Sequence, residues 1–274
     1  MIRFSCGPAP VTIPMRATAK VRNRSRRVVI DGGGLVTLSG QGHHRILYLD
    51  TCDPAQVWTT SHCQNQATPQ LTIERLGLAD GNSTGQLFDG GGGGAIFDRG
   101  GRLRIVNSTF TANRCDPTGP DLGGGAVRAL SQYRSLPVDV IDSRFSDNVC
   151  SNGGALSSIG VSWTVSGSTF TANRAIGHGA NPASAGTPGG GSGGAIYNDG
   201  DQMMLRITGS SLTDNHATEG GGAIFFVSDD RTGTLSIRDS RLTGNVNDGF
   251  QTAGLPGIFF LGAHRPSIIG SKLR

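Results

Sequence analysis

Leu103-Arg104-Ile105-Val106-Asn107-Ser108-Thr109-Phe110-Thr111-Ala112-Asn113 decides the fold of this chain, because its spacing returns four more times. The later copies run over 138–148, 163–173, 205–215 and 235–245. Each reads apolar, any, apolar, two variable, Ser, any, Phe or Leu, two variable, Asn. The serine column is Ser108, Ser143, Ser168, Ser210 and Ser240. The ring column is Phe110, Phe145 and Phe170, continued by Leu212 and Leu242. Gly-Gly-Ala and an aliphatic precede every copy, with Ile96, Val127, Leu156, Ile196 and Ile224 as the aliphatics. A block that recurs at this interval builds a stacked array.

Alternation of apolar residues (Leu103, Ile105; Val138, Val140; Leu205, Ile207) has the period of a strand and not of a helix. The paired glycines supply positive φ or close backbone approach at a bend. An asparagine at one fixed turn position in successive units can stack into a ladder of amides, so Asn113, Asn148, Asn173, Asn215 and Asn245 are the expected rungs. Strand, bend, strand and bend closing in about 25 residues describe one coil of a parallel β-helix. The expected fold is therefore all-β, a single-domain solenoid of about eight coils.

The Gly-Gly-Ala-aliphatic and Phe-x-x-Asn pair, over about residues 90–250, resembles the repeats of the polymorphic outer membrane proteins of chlamydiae. More broadly it is similar to the right-handed β-helix superfamily that includes the pectate lyases. Right-handedness is what this resemblance implies. Along the chain, 1–30 reads as a basic N-terminal edge segment and 31–89 as irregular early coils. Five regular coils fill 90–250, and 251–274 is a partial terminal coil. Gly257-Ile258-Phe259, Ser271 and Leu273 echo the block, but the chain stops before the next ladder asparagine. The expectation is a partner or missing segment over that edge.

Of the 24 Lys and Arg, seven fall in residues 1–30 with no acid, so 17 remain against 20 acids. Lys20, Arg22 and Arg24 share one face of a strand. They read better as charges that blunt an exposed sheet edge than as a polyanion contact, since no aromatic residues interleave for base stacking. Nucleic acid is accordingly not expected as a partner. No run approaches the ~20 apolar residues of a membrane span, and the start lacks the apolar core of an export signal. The cysteines nevertheless point outside the cytosol. Cys115 and Cys150 each follow a ladder asparagine by two residues in consecutive units, and rungs ~4.8 Å apart suit a disulfide. Cys52 and Cys63, bracketing Trp58 and His62, form a second expected bridge, with a metal site as the alternative. Two bridges imply an oxidising compartment, and extracellular or cell-surface localisation follows. Cys6 is left over.

Chemistry is sought in columns, because equivalent positions stack. After each aliphatic comes Phe97, Arg128, Ser157, Tyr197, Phe225, and one residue on comes Asp98, Ala129, Ser158, Asn198, Phe226. No column sets two carboxylates on neighbouring coils, and Arg104 beside Asp139 reads as a surface ion pair. No catalytic residue is assigned, no metal ligand set and no cofactor. Loop acids (Asp116, Asp121, Glu219, Asp229, Asp230) keep a lyase or hydrolase as the alternative. His43-His44 reads as a solvent-facing pair without further ligands. The favoured reading is a binding module for an extended polymer, a polysaccharide or surface glycan. An adhesin passenger or a structural spacer is the third reading.

Connector lengths place the site. The segments from ladder Asn to the next Gly-Gly-Ala are long at 114–123, short at 149–152 and longest at 174–192. The long ones are expected to stand as ridges two coils, ~10 Å, apart, with 149–152 as a floor. Arg128, Ser157, Tyr197 and Asn152 are the expected ligand contacts there. The alternative is that 180–191, rich in Gly, Pro, Ser and Ala, is a mobile loop without a ligand.

Overall fold

The computed structural model of the chain describes residues 1–22, 27–50, 64–86, 91–180 and 185–274. Cys52, Trp58, His62 and Cys63, with their expected bridge or metal site, lie outside the described residues, as does Arg24.

Every pairing between named strands is parallel and joins strands of successive coils, as a β-helix requires. Three sheets form the walls. An eight-stranded sheet takes the five strands that follow Gly-Gly-Ala, Ile96–Asp98, Val127–Ala129, Leu156–Ile159, Ile196–Gly200 and Ile224–Ser228, extended by Ala19–Arg22 and Leu47–Asp50 at one end and Ile258–Leu261 at the other. A 16-stranded sheet takes the other two strands of each block. One arm runs from Arg102–Val106 to Ser267–Ile269, the other from Thr109–Thr111 to Lys272–Leu273, and the long strand Gln70–Ala79 joins them. A four-stranded sheet closes the last corner with Val149–Cys150, Arg174–Ala175, His216–Ala217 and Val246–Asn247. Among the described residues helix is confined to one 3₁₀ turn, Tyr133–Ser135.

The repeat is the cause of this register. Alternate residues point inward and stack on their own kind, so Phe110, Phe145 and Phe170 lie with ring centroids 4.7 Å apart and planes within 8°. Leu78 precedes them in the column, and Leu212, Leu242 and Leu273 extend it. Each fully buried ring or aliphatic contributes about 1.5–3 kcal/mol.

The two glycines of Gly-Gly-Ala divide their work. The first turns the chain with φ between 51° and 73° (Gly93, Gly124, Gly153, Gly193, Gly221). At the second, backbone of a neighbouring coil occupies the place of a side chain, Gly222 carbonyl against Gly194 being one case. At the other corners Asn, Asp, Ala and Gly take the left-handed conformation: Asn107, Asp142 and Asp239 before the serines, Ala112, Asp147, Ala172 and Asp214 before the asparagines.

Two hydrogen-bond ladders lock these corners. Asn113 Nδ2 donates to Asn148 Oδ1 at 2.9 Å, Asn148 to Asn173 at 2.8 Å, Asn173 to Asn215 at 2.9 Å and Asn215 to Asn245 at 2.8 Å. The same nitrogens also donate to carbonyls of the preceding coil, as from Asn148 to Phe110 at 3.1 Å. Each serine hydroxyl accepts from the backbone N–H of the serine one coil before it, from Ser108 N to Ser143 Oγ at 3.1 Å through Ser240 N to Ser271 Oγ at 3.0 Å. In the earlier coil Gly81 stands at the ladder position, and its N–H donates to Asn113 Oδ1 at 2.8 Å. Cys115 and Cys150 form a disulfide with Cα atoms 4.8 Å apart. The basic N-terminal strand Ala19–Arg22 is the edge strand of the eight-stranded sheet, and Lys20 lies over the Tyr48 ring at 5.4 Å. Among the described residues no helix is long and apolar enough to cross a membrane.

Candidate functional site

The expected floor between two ridges is closed by the protein itself. Gly119 N donates to Gly189 O at 3.0 Å, so the 114–123 and 174–192 connectors meet over the short one. Ser151 Oγ donates to Gly119 O at 2.7 Å. Asn152 Nδ2 donates to Pro120 O at 2.7 Å, with Gly119 and Leu122 carbonyls also in reach, and Asn152 Oδ1 accepts from Ser192 N at 3.0 Å. Asn152 is thus a clamp for the two loops. The floor supplies donors to the partly buried carbonyls of the loop above it. Glu219 supplies the converse, an acceptor, to the longer connector, accepting from the N–H groups of Gly179 and Ala180.

The column Arg128, Ser157, Tyr197 lies in register on adjacent strands, yet it is covered: the three residues are only 7%, 1% and 7% exposed. Gly123 packs on Ser157. Arg128 Nη1 donates to Gly91 O at 3.0 Å, and its guanidinium carbon sits 6.0 Å from the Phe97 centroid. Arg45 holds the same glycine corner, donating to Gly92 O at 2.9 Å and lying 5.0 Å from Phe97. Tyr197 stacks on Phe225 at 5.0 Å and 3°.

Two of the four expected contacts lead to an open site one edge further on. Tyr197 Oη donates to Asp199 Oδ2 at 3.0 Å, and Asp199 Oδ1 accepts from Gly200 N at 3.0 Å. Asp199 lines a cleft of about 440 Å³ with Asp121, Arg128, Gln132 and Asp229. It runs on into a second of about 530 Å³ with Ser135, Asp201 and Gln202, the two sharing Gln132, Ile159, Gly200 and Asp229. The groove therefore crosses four successive coils. Ser157 and Asn152 are not part of it.

Its electrostatics follow from burial and from like charges. Burial raises the Asp199 pKa, and Asp229 and Asp121 push it in the same direction, against the hydrogen bonds from Tyr197 and Gly200. Burial lowers Arg128 to about 10, with Asp121 opposing, and Arg128 Nε has no hydrogen-bond partner among the described residues. Burial raises Tyr197 well above the ordinary phenol value, with Asp199 adding to the effect. The other loop acids are occupied elsewhere. Asp116 accepts from Gly85 N at 3.0 Å. Asp230 is held at about 2, above all by the Thr232 N–H, with further bonds from Ser228 and the Thr232 hydroxyl. Among the described residues no group of three or more His, Cys, Asp or Glu is placed to hold a metal ion.

Arg104 and Asp139 are in register on neighbouring strands, but no ion pair joins them. Both line a separate pocket described below.

Sequence reading missed Asp199 because the columns were followed only as far as Asn198 and Phe226. The usable signal is a pair of acids within a few residues of the strand start in successive units, Asp199 and Asp201 after one Gly-Gly-Ala, Asp229 and Asp230 after the next. Register sets Gly200 beside Ser228, which brings the two clusters together.

Residues 209–227 match the Chlamydia polymorphic membrane protein (Chlamydia_PMP) repeat. The matched stretch holds Ser210, Leu212, Asn215 and the Gly-Gly-Ala that follows, so the chlamydial repeat matches on the residues that form both ladders and the glycine bend. No curated protein and no solved structure matches the chain.

Proposed function

We propose that this chain is a surface-associated β-helix module that binds an extended polysaccharide along the groove bounded by Gln132, Gly160, Asp199 and Asp229. The chlamydial repeat, named for membrane proteins, supports the surface placement, and the Cys115–Cys150 bridge supports an oxidising compartment. The observation that carries the ligand class is the run of side-chain amides and carboxylates across four coils. Rungs ~4.8 Å apart over four coils span ~14 Å, enough for a short run of sugar rings, and carboxylates and amides pair with sugar hydroxyls. Four carboxylates, Asp121, Asp199, Asp201 and Asp229, repel an anionic polymer, so a neutral or amino-sugar chain fits this groove. Array binding of neutral and amino-sugar glycans tests the reading: wild type retains signal, and Asp199→Asn with Asp229→Asn loses it. Equal signal from both proteins removes the groove as the site.

One observation favours a second reading. Asp199 has a raised pKa while Asp229 stands exposed on the next coil, the pairing of a proton donor with a second carboxylate that glycoside hydrolysis uses. Release of new reducing ends from a bound glycan, lost in Asp199→Asn, would select it; binding without release selects the module.

A further inference from the structure

We propose that a second pocket, on the other side of the 131–137 loop, binds a carboxylate-bearing sugar of an acidic polysaccharide. The loop divides its side chains between two clefts. Gln132 and Ser135 line the acidic groove, whereas Tyr133 and Leu136 line a pocket of about 310 Å³ over the first strands of the long sheet. Among the described residues, Arg27, Arg102 and Arg104 line it against the single acid Asp139. The pocket shares no lining residue with the acidic groove and takes an anionic ligand, which the groove repels.

Three features fit that ligand. Arg102 Nη2 donates to Pro137 O at 3.0 Å, which fixes the guanidinium, while its Nη1 is buried with no hydrogen-bond partner among the described residues. Arg104 is exposed and, like Arg27 and Arg102, makes no ion pair among the described residues. A carboxylate entering between Arg102 and Arg104 would satisfy the orphaned donor with a charge-assisted bond. Tyr133, half-buried, adds an apolar wall of the kind that packs on the C–H face of a pyranose, and the Arg134 guanidinium lies 5.2 Å from its centroid. The surface continues beyond the pocket. Asp139, Thr164, Arg206 and Ser236 follow Arg104 in one column, so a second arginine stands three rungs, ~14 Å, along the track. Among the described residues Tyr133 is the single ring lining the pocket, and a lone ring does not supply the repeated stacking that single-stranded nucleic acid requires.

Titration calorimetry with hexagalacturonate, its methyl ester and a single-stranded DNA 12-mer tests the assignment. Wild type should bind hexagalacturonate in a salt-sensitive manner and the ester at least about tenfold more weakly. Arg102→Ala with Arg104→Ala, and Tyr133→Leu, should each weaken hexagalacturonate about tenfold or more. Arg104→Glu changes an exposed side chain without touching the core and should abolish measurable binding. Asp199→Asn should leave it unchanged, which separates this pocket from the groove. Undetectable hexagalacturonate binding, equal affinity for acid and ester, unchanged binding in Arg104→Glu, or DNA binding as tight as the hexamer would each overturn it.

Discussion

The asparagine corner and the 131–137 rim are built on opposite terms. At the corner every coil contributes the same residue, and each amide meets the next at 2.8–2.9 Å. At the rim no single residue runs through the coils: Gln132, Gly160, Asp199 and Asp229 come from successive coils, and Tyr133 and Arg102 from across the loop. The corner gains stability from repetition, since each polar group is buried only because its neighbour is identical. The rim gains chemical variety from the absence of repetition, and it holds both clefts. Wall substitutions should therefore change stability, and rim substitutions should change binding.

The largest expected effect is at the wall. Replacing Cys115 and Cys150 by serine opens a bridge spanning 35 residues and should lower unfolding free energy by ~3–4 kcal/mol, read by denaturant melts under oxidising conditions. Unchanged midpoints would mean that this corner holds without its bridge. Asn148→Ala and Asn173→Ala come next. Each strands the buried amides above and below, so ~1–3 kcal/mol should be lost. Asn245, which is only partly buried and accepts from one ladder asparagine, should cost less. Equal losses at all three would show that the ladder does not act through neighbours.

A pH experiment separates a buried acid from a rim acid. Asp98, fully buried, has a pKa raised to about 7 by desolvation, against hydrogen bonds from Ser131 and Gly100. A folded-state carboxyl pKa above the unfolded value means that the native state binds more protons. Stability should fall as pH rises from about 4 to about 7 and then level off. Asp98→Asn should flatten most of that slope. Asp199→Asn, whose pKa is raised in the same direction with less burial, should flatten a smaller part while changing glycan binding. A slope unaltered by Asp98→Asn would place the titrating group elsewhere. The smallest effect belongs to the rim: Tyr133→Leu should alter the melting midpoint by no more than the equivalent of ~0.5 kcal/mol even as hexagalacturonate binding falls. A large loss of stability there would erase the contrast between wall and rim.

Legibility in the sequence follows the same division. Ser108, Phe110 and Asn113 could be read because five copies state each rule, and a side chain stacked on its own kind is fixed by position in the unit. The Cys115–Cys150 pair was legible for that reason. Asp199 and Tyr133 carry no such redundancy. Whether Asp199 faces Asp229 depends on the register of two strands and on the turn after Gly200. Arg128, Ser157 and Tyr197 were placed in the right column, but their burial depends on how the 114–123 and 174–192 connectors fold over Asn152, which connector length does not state. Length suggested ridges; unpaired carbonyls drew them together.

The ladder has one more consequence, which concerns inheritance. Successive ladder asparagines are separated by 35, 25, 42 and 30 residues, yet every junction between them has the same geometry. Each asparagine presents a donor to one side and an acceptor to the other, so the joint does not register how much chain was spent getting back to it. A duplicated or deleted unit, cut at the asparagine, would reseal with both bonds intact. Unequal crossing-over within such a gene can thus change the reach of the solenoid one rung at a time, and can trade rim loops between coils, without a new solution to folding at any step.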